Sequence, residues 1–104
     1  MEEQSKIYEQ KTELLKALSH PLRLQIVRNL LVGGCRNVRC IEGCTGQSQS
    51  TISQHLTRLK AAGVVTCERA GNEMYYKVAN RQVAAVVAAL FGEREEDYNC
   101  TTSL

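Results

Sequence analysis

The chain has one proline in 104 residues and is 43% hydrophobic, which excludes a proline-rich disordered segment and fits a folded domain. No apolar run approaches the roughly 20 residues of a membrane-spanning helix, so no membrane partner is expected. The start, Met1-Glu2-Glu3-Gln4, is acidic and polar rather than a secretory leader, and a cytoplasmic protein is expected. There are only two histidines, His20 and His55. No paired carboxylates, glycine-rich phosphate loop or nucleophile–base set is visible, so the chain is not read as an enzyme.

Acids are scarce in the middle of the chain. Between Leu14 and Cys67 the only one is Glu42, against Lys16, Arg23, Arg28, Arg36, Arg39, Arg58 and Lys60. Acids gather instead near the ends, at Glu2, Glu3, Glu9 and Glu13 and at Glu93, Glu95, Glu96 and Asp97. The net charge is only +2, but a basic middle suits a body that meets phosphates centrally. Ordinary solvated surface charge is the alternative reading.

The length fits one domain, residues 1–104, with residues 1–6 and 96–104 expected as flexible ends. Five helices and one hairpin are expected, so the fold is mainly α with a small β-hairpin. The first helix runs from about Ile7 to Leu18, with Ile7, Leu14, Leu15 and Leu18 on its apolar side. Ser19-His20-Pro21 breaks it, and proline suits the first turn of the next helix, where its missing N–H costs nothing. That second helix carries Leu22, Leu24, Ile26, Val27, Leu30 and Leu31 and stops at Gly33-Gly34. A short third helix starts at Asn37 and ends near Thr45-Gly46.

The fourth helix carries the most information. Ser48 can cap it, and Ile52, Leu56 and Leu59 recur at helical spacing on one side. The other side holds Gln49, Ser50, Thr51, Ser53, Gln54, His55, Arg58 and Lys60, without an acid. Ala61-Ala62-Gly63 ends it. Val64–Cys67 and Met74–Val78 read as strands around a Gly71-Asn72 turn. A polar helix followed by a hairpin is how a winged helix-turn-helix reads DNA. On this reading Gln49, Thr51, Ser53 and Gln54 reach bases, while Arg58, Lys60, Arg69 and Asn72 meet the backbone or minor groove. The fifth helix, about Arg81 to Arg94, is apolar nearly all round, and a two-fold dimer interface with the first helix is expected.

These segments resemble the ArsR/SmtB family of metal-responsive repressors. Leu18-Ser19-His20-Pro21-Leu22-Arg23-Leu24 is similar to its "L-[SA]-x-P-x-R-L" opening, and Ser48–Leu56 to its "S-Q-S-x-[VI]-S-x-H-L" recognition segment. Leu59–Val65 is similar to its "L-[RK]-x-A-G-L-V" junction, and Met74-Tyr75-Tyr76 to its "[VF]-Y-Y" wing strand. The resemblance implies a homodimer that binds double-stranded operator DNA, an inverted repeat, without a cofactor. Such a repressor leaves the DNA when an inducer occupies a sensor site.

The chain departs from the family's two well-known sensor sites. Asn80, Gln82, Glu93 and Glu96 stand where the interfacial zinc site has Asp-x-His and His-x-x-Glu. Asn37 and Arg39 stand where the other site has Cys-x-Cys. The chain does have five cysteines, and their odd count in a cytoplasmic chain argues against a disulfide framework. Cys40 and Cys44 share a helix face, and Cys35 lies just before that helix. Three thiolates without histidine suit a thiophilic ion, with trivalent arsenic or antimony as the leading inducer and cadmium or lead as further candidates. Cys100 is the alternative third ligand. The rival is a redox or persulfide switch in which Cys40, at a helix start beside Arg36 and Arg39, links to Cys44, Cys35 or Cys100. The family's persulfide-sensing branch has a cysteine in the second helix, which this chain lacks. Buried structural cysteine is the plain alternative, and the expected one for Cys67. A winged-helix protein-interaction module is a remote further reading, disfavoured because such a surface more often shows an exposed apolar stripe.

Overall fold

Four of the five helices begin at a residue whose side chain accepts a hydrogen bond from an otherwise unpaired backbone N–H. His20 Nδ1 accepts from Leu22 N at 3.0 Å, and Asn37 Oδ1 from Cys40 N at 2.8 Å. Ser48 Oγ accepts from Thr51 N at 3.3 Å, and Asn80 Oδ1 from Val83 N at 3.1 Å. The computed structural model describes residues 2–33 and 35–98. The elements are α1 (Glu2–Leu18), α2 (Pro21–Val32), α3 (Val38–Thr45), α4 (Gln49–Ala61), β1 (Val65–Ala70), β2 (Glu73–Val78) and α5 (Arg81–Phe91). A single 3-10 turn follows at Glu95–Asp97. Among the described residues no helix is long and apolar enough to cross a membrane.

The expected order holds, with corrected boundaries. Helix α1 starts at Glu2 rather than Ile7, so residues 2–6 are helical. Glu3 lies near its first turn, where the helix dipole favours negative charge. Helix α5 ends at Phe91 rather than Arg94, because Gly92 turns left-handed there (φ 65°). Beyond α5, Tyr98 packs on the core. Gly34, expected with Gly33 as the stop of α2, lies outside the described residues, and Gly33 alone supplies the left-handed cap.

Helix α4 stops by a full Schellman arrangement. Gly63, at φ 77°, lets its N–H reach Lys60 O at 3.0 Å while Val64 N reaches Leu59 O at 3.0 Å. Val64 therefore belongs to the stop and is not a strand residue. The two strands pair antiparallel from Val65↔Val78 to Ala70↔Glu73. Gly71 carries the positive φ of their two-residue turn, which a side chain would strain.

The core is a single cluster. Ile26, Val27, Leu30 and Leu31 of α2 meet Ile41 of α3, Ile52, Leu56 and Leu59 of α4, and Val65 and Val78 of the hairpin. Helix α5 is two-sided rather than apolar without distinction. Val83, Ala84, Val87 and Ala88 are buried in its own domain, while Leu90 is 64% exposed and Phe91 41%. In α1, Ala17 and Leu18 are buried, but Ile7, Tyr8 and Leu15 are each more than half exposed.

A polar clasp ties α2 to the segment after α5. Arg28 Nε donates to Glu93 Oε1 at 3.1 Å, a second nitrogen of the same guanidinium pairs with Oε2, and Tyr98 donates its hydroxyl to Oε1. The guanidinium also lies 4.4 Å from the Phe91 ring centre. The bonds from Arg28, and then from Tyr98, hold the Glu93 carboxyl down at about 2. Burial, reinforced by Glu93, pushes the Tyr98 hydroxyl up to about 12.

A carboxylate whose folded pKa is depressed stabilises the fold above its unfolded value of 4.5, and that contribution is lost as pH falls toward about 2. Glu93→Gln should therefore lower the melting temperature at neutral pH. The gap from the parent protein should close as pH falls through that window, as followed by circular dichroism. A gap that stays constant with pH would show that the carboxylate charge contributes nothing.

Candidate nucleic-acid interface and thiol cluster

Helix α4 divides as its sequence period requires. Ile52, Leu56 and Leu59 are buried, whereas Ser48, Gln49, Ser50, Gln54, Arg58 and Lys60 are exposed and Thr51 and Ser53 half-buried. Ser48 and Thr51 are partly committed to each other, hydroxyl to hydroxyl at 3.1 Å. Arg58 and Lys60 lie in the last turn, where cations complement the helix dipole. At the wing, Arg69 Nε reaches Gly71 O at 3.4 Å and Asn72 is exposed at the tip. Lys60 Nζ lies 3.3 Å from Cys67 Sγ on β1, at the root of the wing.

His55 differs from its neighbours on this helix. Its ring packs 4.4 Å from that of His20, and Arg23 Nη1 lies 3.2 Å from its Nδ1. A guanidinium can only donate, so Nδ1 accepts and the ring proton sits on Nε2. Burial, then His20 and Arg23, push the imidazole below its usual pKa and keep it neutral. The same Arg23 donates to Ala17 O at 2.6 Å and Lys16 O at 3.3 Å. His55 thus braces α4 against the α1–α2 corner.

A polar groove of about 540 Å³ runs between α3, the start of α4 and the wing. Arg39, Gln49, Ser53 and Asn72 line it, together with Glu42 and Glu73. Arg39, not among the DNA-contacting candidates of the sequence, shares this groove with Gln49.

The sulfurs of Cys35, Cys40 and Cys44 all lie within 4.8 Å of one another. An ion with metal–sulfur bonds of about 2.3 Å holds its sulfurs roughly 4 Å apart, so small side-chain rotations would close this set. Helix α3 supplies Cys40 and Cys44 one turn apart, and the segment before it returns Cys35 to them. Cys35 is buried, Cys40 half-buried and Cys44 exposed, and the described cysteines form no disulfide. Cys35 Sγ donates to Cys40 O at 3.4 Å. Burial, and then hydrogen bonds with Cys40 and Cys44, push the Cys35 thiol up to about 12. Cys67 stands apart on β1. Cys100, the alternative ligand, lies outside the described residues.

The positions that correspond to the interfacial zinc site serve other ends. Asn80 caps α5, Gln82 accepts from Lys11 Nζ at 2.7 Å, Glu93 sits in the Arg28 clasp, and Glu96 pairs with Arg94 at 3.1 Å.

The sequence pattern of bacterial regulatory proteins of the arsR family matches residues 20–66. The transcriptional repressor PagR of Bacillus anthracis is 38% identical over 82 residues, covering 79% of this chain and 82% of PagR. Its crystal structure superposes with a TM-score of 0.76 at 36% identity, over 83% of this chain and 98% of that one. This chain belongs to the ArsR family. The HTH-type transcriptional repressor SmtB of Mycobacterium tuberculosis is 40% identical over 88 residues, 82% of this chain but only 62% of SmtB. The homodimeric winged helix-turn-helix DNA-binding domain of Mb0332 from Mycobacterium bovis gives a TM-score of 0.78 at 34% identity, over 88% of this chain and 84% of that one. Among ArsR-family features, α3 and α4 form the helix-turn-helix and β1–β2 the wing.

The differing exposure of the three thiols has a direct readout. Under native conditions iodoacetamide should alkylate Cys44 first and Cys35 last, with Cys35 at least about tenfold slower, as followed by peptide mass spectrometry. Equal rates would show that Cys35 is not held in the interior.

Proposed function

We propose that this protein is a homodimeric transcriptional repressor that binds double-stranded operator DNA and releases it when Cys35, Cys40 and Cys44 take trivalent arsenic or antimony. The observation that carries the inducer is the clustering of three sulfurs, two on the first helix of the helix-turn-helix and one on the segment before it. DNA binding is supported by family membership and by the acid-free exposed face of α4. On this reading Gln49, Thr51, Ser53 and Gln54 reach base edges. Ser48, Ser50, Arg58, Lys60, Arg69 and Asn72 suit phosphates, and His55 acts by holding the helix in place. The dimer is supported by the homodimeric Mb0332 domain and by an apolar groove of about 390 Å³ between α1 and α5, lined by Leu14, Leu15, Leu18, Val83 and Val86. A two-fold dimer calls for an inverted repeat in the DNA.

The same sulfurs favour one second reading. Their proximity, with Cys44 exposed, would also let an oxidant or persulfide donor link two of them.

Fluorescence anisotropy on the DNA upstream of the gene separates the readings. Arsenite should release the parent protein but not Cys40→Ser. Release by a persulfide donor or oxidant alone would move the function to thiol redox sensing, and no release by either would remove the cluster from the mechanism. In the same assay Arg58→Ala should weaken binding to all sequences and reduce the slope of log affinity against log salt by about 1. An unchanged slope would place Arg58 off the phosphates.

A further inference from the structure

The segment that brings Cys35 to α3 also holds the wing. Tyr76 N donates to Arg36 O at 2.8 Å, and Asn37 forms a β-bridge with Tyr75. Residues 36–37 thus act as a short third strand on β2. Asn37 adds a second link through its side chain. Its Oδ1 accepts from Cys40 N at 2.8 Å, and its Nδ2 donates to Glu73 Oε1 at 3.1 Å. One carboxamide therefore joins the backbone of a cluster cysteine to the base of the wing turn. Glu73 also receives the Tyr75 hydroxyl at 3.4 Å.

Both backbone polar groups of Cys40 are held. Its N–H is fixed by Asn37, and its carbonyl accepts the Cys35 thiol at 3.4 Å. An ion that binds Cys35 takes the place of that thiol's proton, so the bond to Cys40 O is lost. Drawing the sulfurs of Cys35 and Cys40 onto one centre then moves the peptide that Asn37 caps. Because the Asn37 carboxamide is bonded to Cys40 N on one side and to Glu73 on the other, the displacement has a path to the wing.

We infer that Asn37 is a positioning residue that transmits occupancy of the Cys35–Cys40–Cys44 cluster to the wing through its bond to Glu73. This inference rests on the sensor reading proposed above. Allosteric coupling is a difference between two bound states, so it is measured as the ratio of DNA affinities without and with the inducer.

The test leaves the cap of α3 and the three thiols intact. Glu73→Ala removes the acceptor for Asn37 Nδ2, whereas Glu73→Gln keeps an oxygen in its place. Both remove the same negative charge from the DNA side, so any electrostatic gain in DNA binding is common to the two. Arsenite affinity is read separately, from the ultraviolet absorption of the arsenic–sulfur bonds in the protein without DNA. Glu73→Ala should bind arsenite as the parent does, while its coupling ratio falls about threefold, in keeping with the loss of one exposed hydrogen bond. Glu73→Gln should restore the ratio. Asn37→Ser, which retains a capping hydroxyl but does not reach Glu73, should behave like Glu73→Ala. Equal ratios in the parent, Glu73→Ala and Glu73→Gln would overturn the inference. A parent protein that binds no arsenite, or binds it without releasing DNA, would instead overturn the sensor reading and this inference with it.

Discussion

The apolar seam between α2 and the helix-turn-helix is the constraint on which the rest of this structure depends. Ile41, Ile52, Leu56 and Leu59 are all essentially inaccessible, and they pack on Ile26, Val27, Leu30 and Leu31. Burying each such side chain is worth about 1.5–3 kcal/mol, which exceeds any single polar contact on the surface. The seam fixes the rotation of α4 about its own axis. Once Ile52, Leu56 and Leu59 face inward, the period of the helix leaves Gln49, Ser50, Gln54 and Arg58 facing out. The same seam fixes α3 through Ile41, which sends Cys40 and Cys44 toward Cys35. The outward polar face of α4 and the thiol cluster are thus two consequences of one packing arrangement.

Polar contacts then refine what the seam allows. Arg23 joins the end of α1, the start of α2 and His55 on α4. A residue that the sequence places on the polar side of α4 thereby becomes a brace. Nothing in the spacing of Ser53-Gln54-His55-Leu56 distinguishes His55 from its neighbours, because its fate depends on His20 and Arg23, far away along the chain. The helices and their caps were legible because capping, glycine stops and apolar periodicity are local. The start of α1 was missed because residues 2–6 carry no regular apolar stripe, and a helix that far from the core leaves little trace in hydropathy. The packing of the segment after α5 was missed for the opposite reason. Tyr98 is held by Glu93 and Arg28, and the Arg28 partner is contributed by α2, so no local pattern announces it.

The thiol cluster was half legible. A four-residue spacing on a helix predicts that Cys40 and Cys44 share a face, and the structure places their sulfurs together. The return of Cys35 depends on the pairing of residues 36–37 with β2, a contact between segments almost forty positions apart. Sequence reading identified Asn37 only as a cap and as a departure from a Cys-x-Cys motif. Its second bond, to Glu73, became visible only once the wing was placed.

The burial of Cys35 also bears on which ion the proposed sensor suits. Cys35 is 5% exposed, so any group bound there is partly withdrawn from water. Arsenous acid exchanges its three hydroxyls for three thiols. Each sulfur's proton leaves with a hydroxyl as water, and the product is neutral. A divalent cation on the same three sulfurs must expel three protons to solvent and leaves a complex with one net negative charge. A net charge at the edge of an apolar core is costly unless it is paired. The guanidinium-bearing residues nearest in sequence, Arg36 and Arg39, are exposed, and Arg39 faces the groove beside Gln49 rather than the interior. The interior side of the cluster is Ile41 and the core. On this ground the proposed sensor would favour a trivalent, neutral-product inducer over cadmium or lead, a preference that follows from where the third sulfur sits rather than from the number of sulfurs.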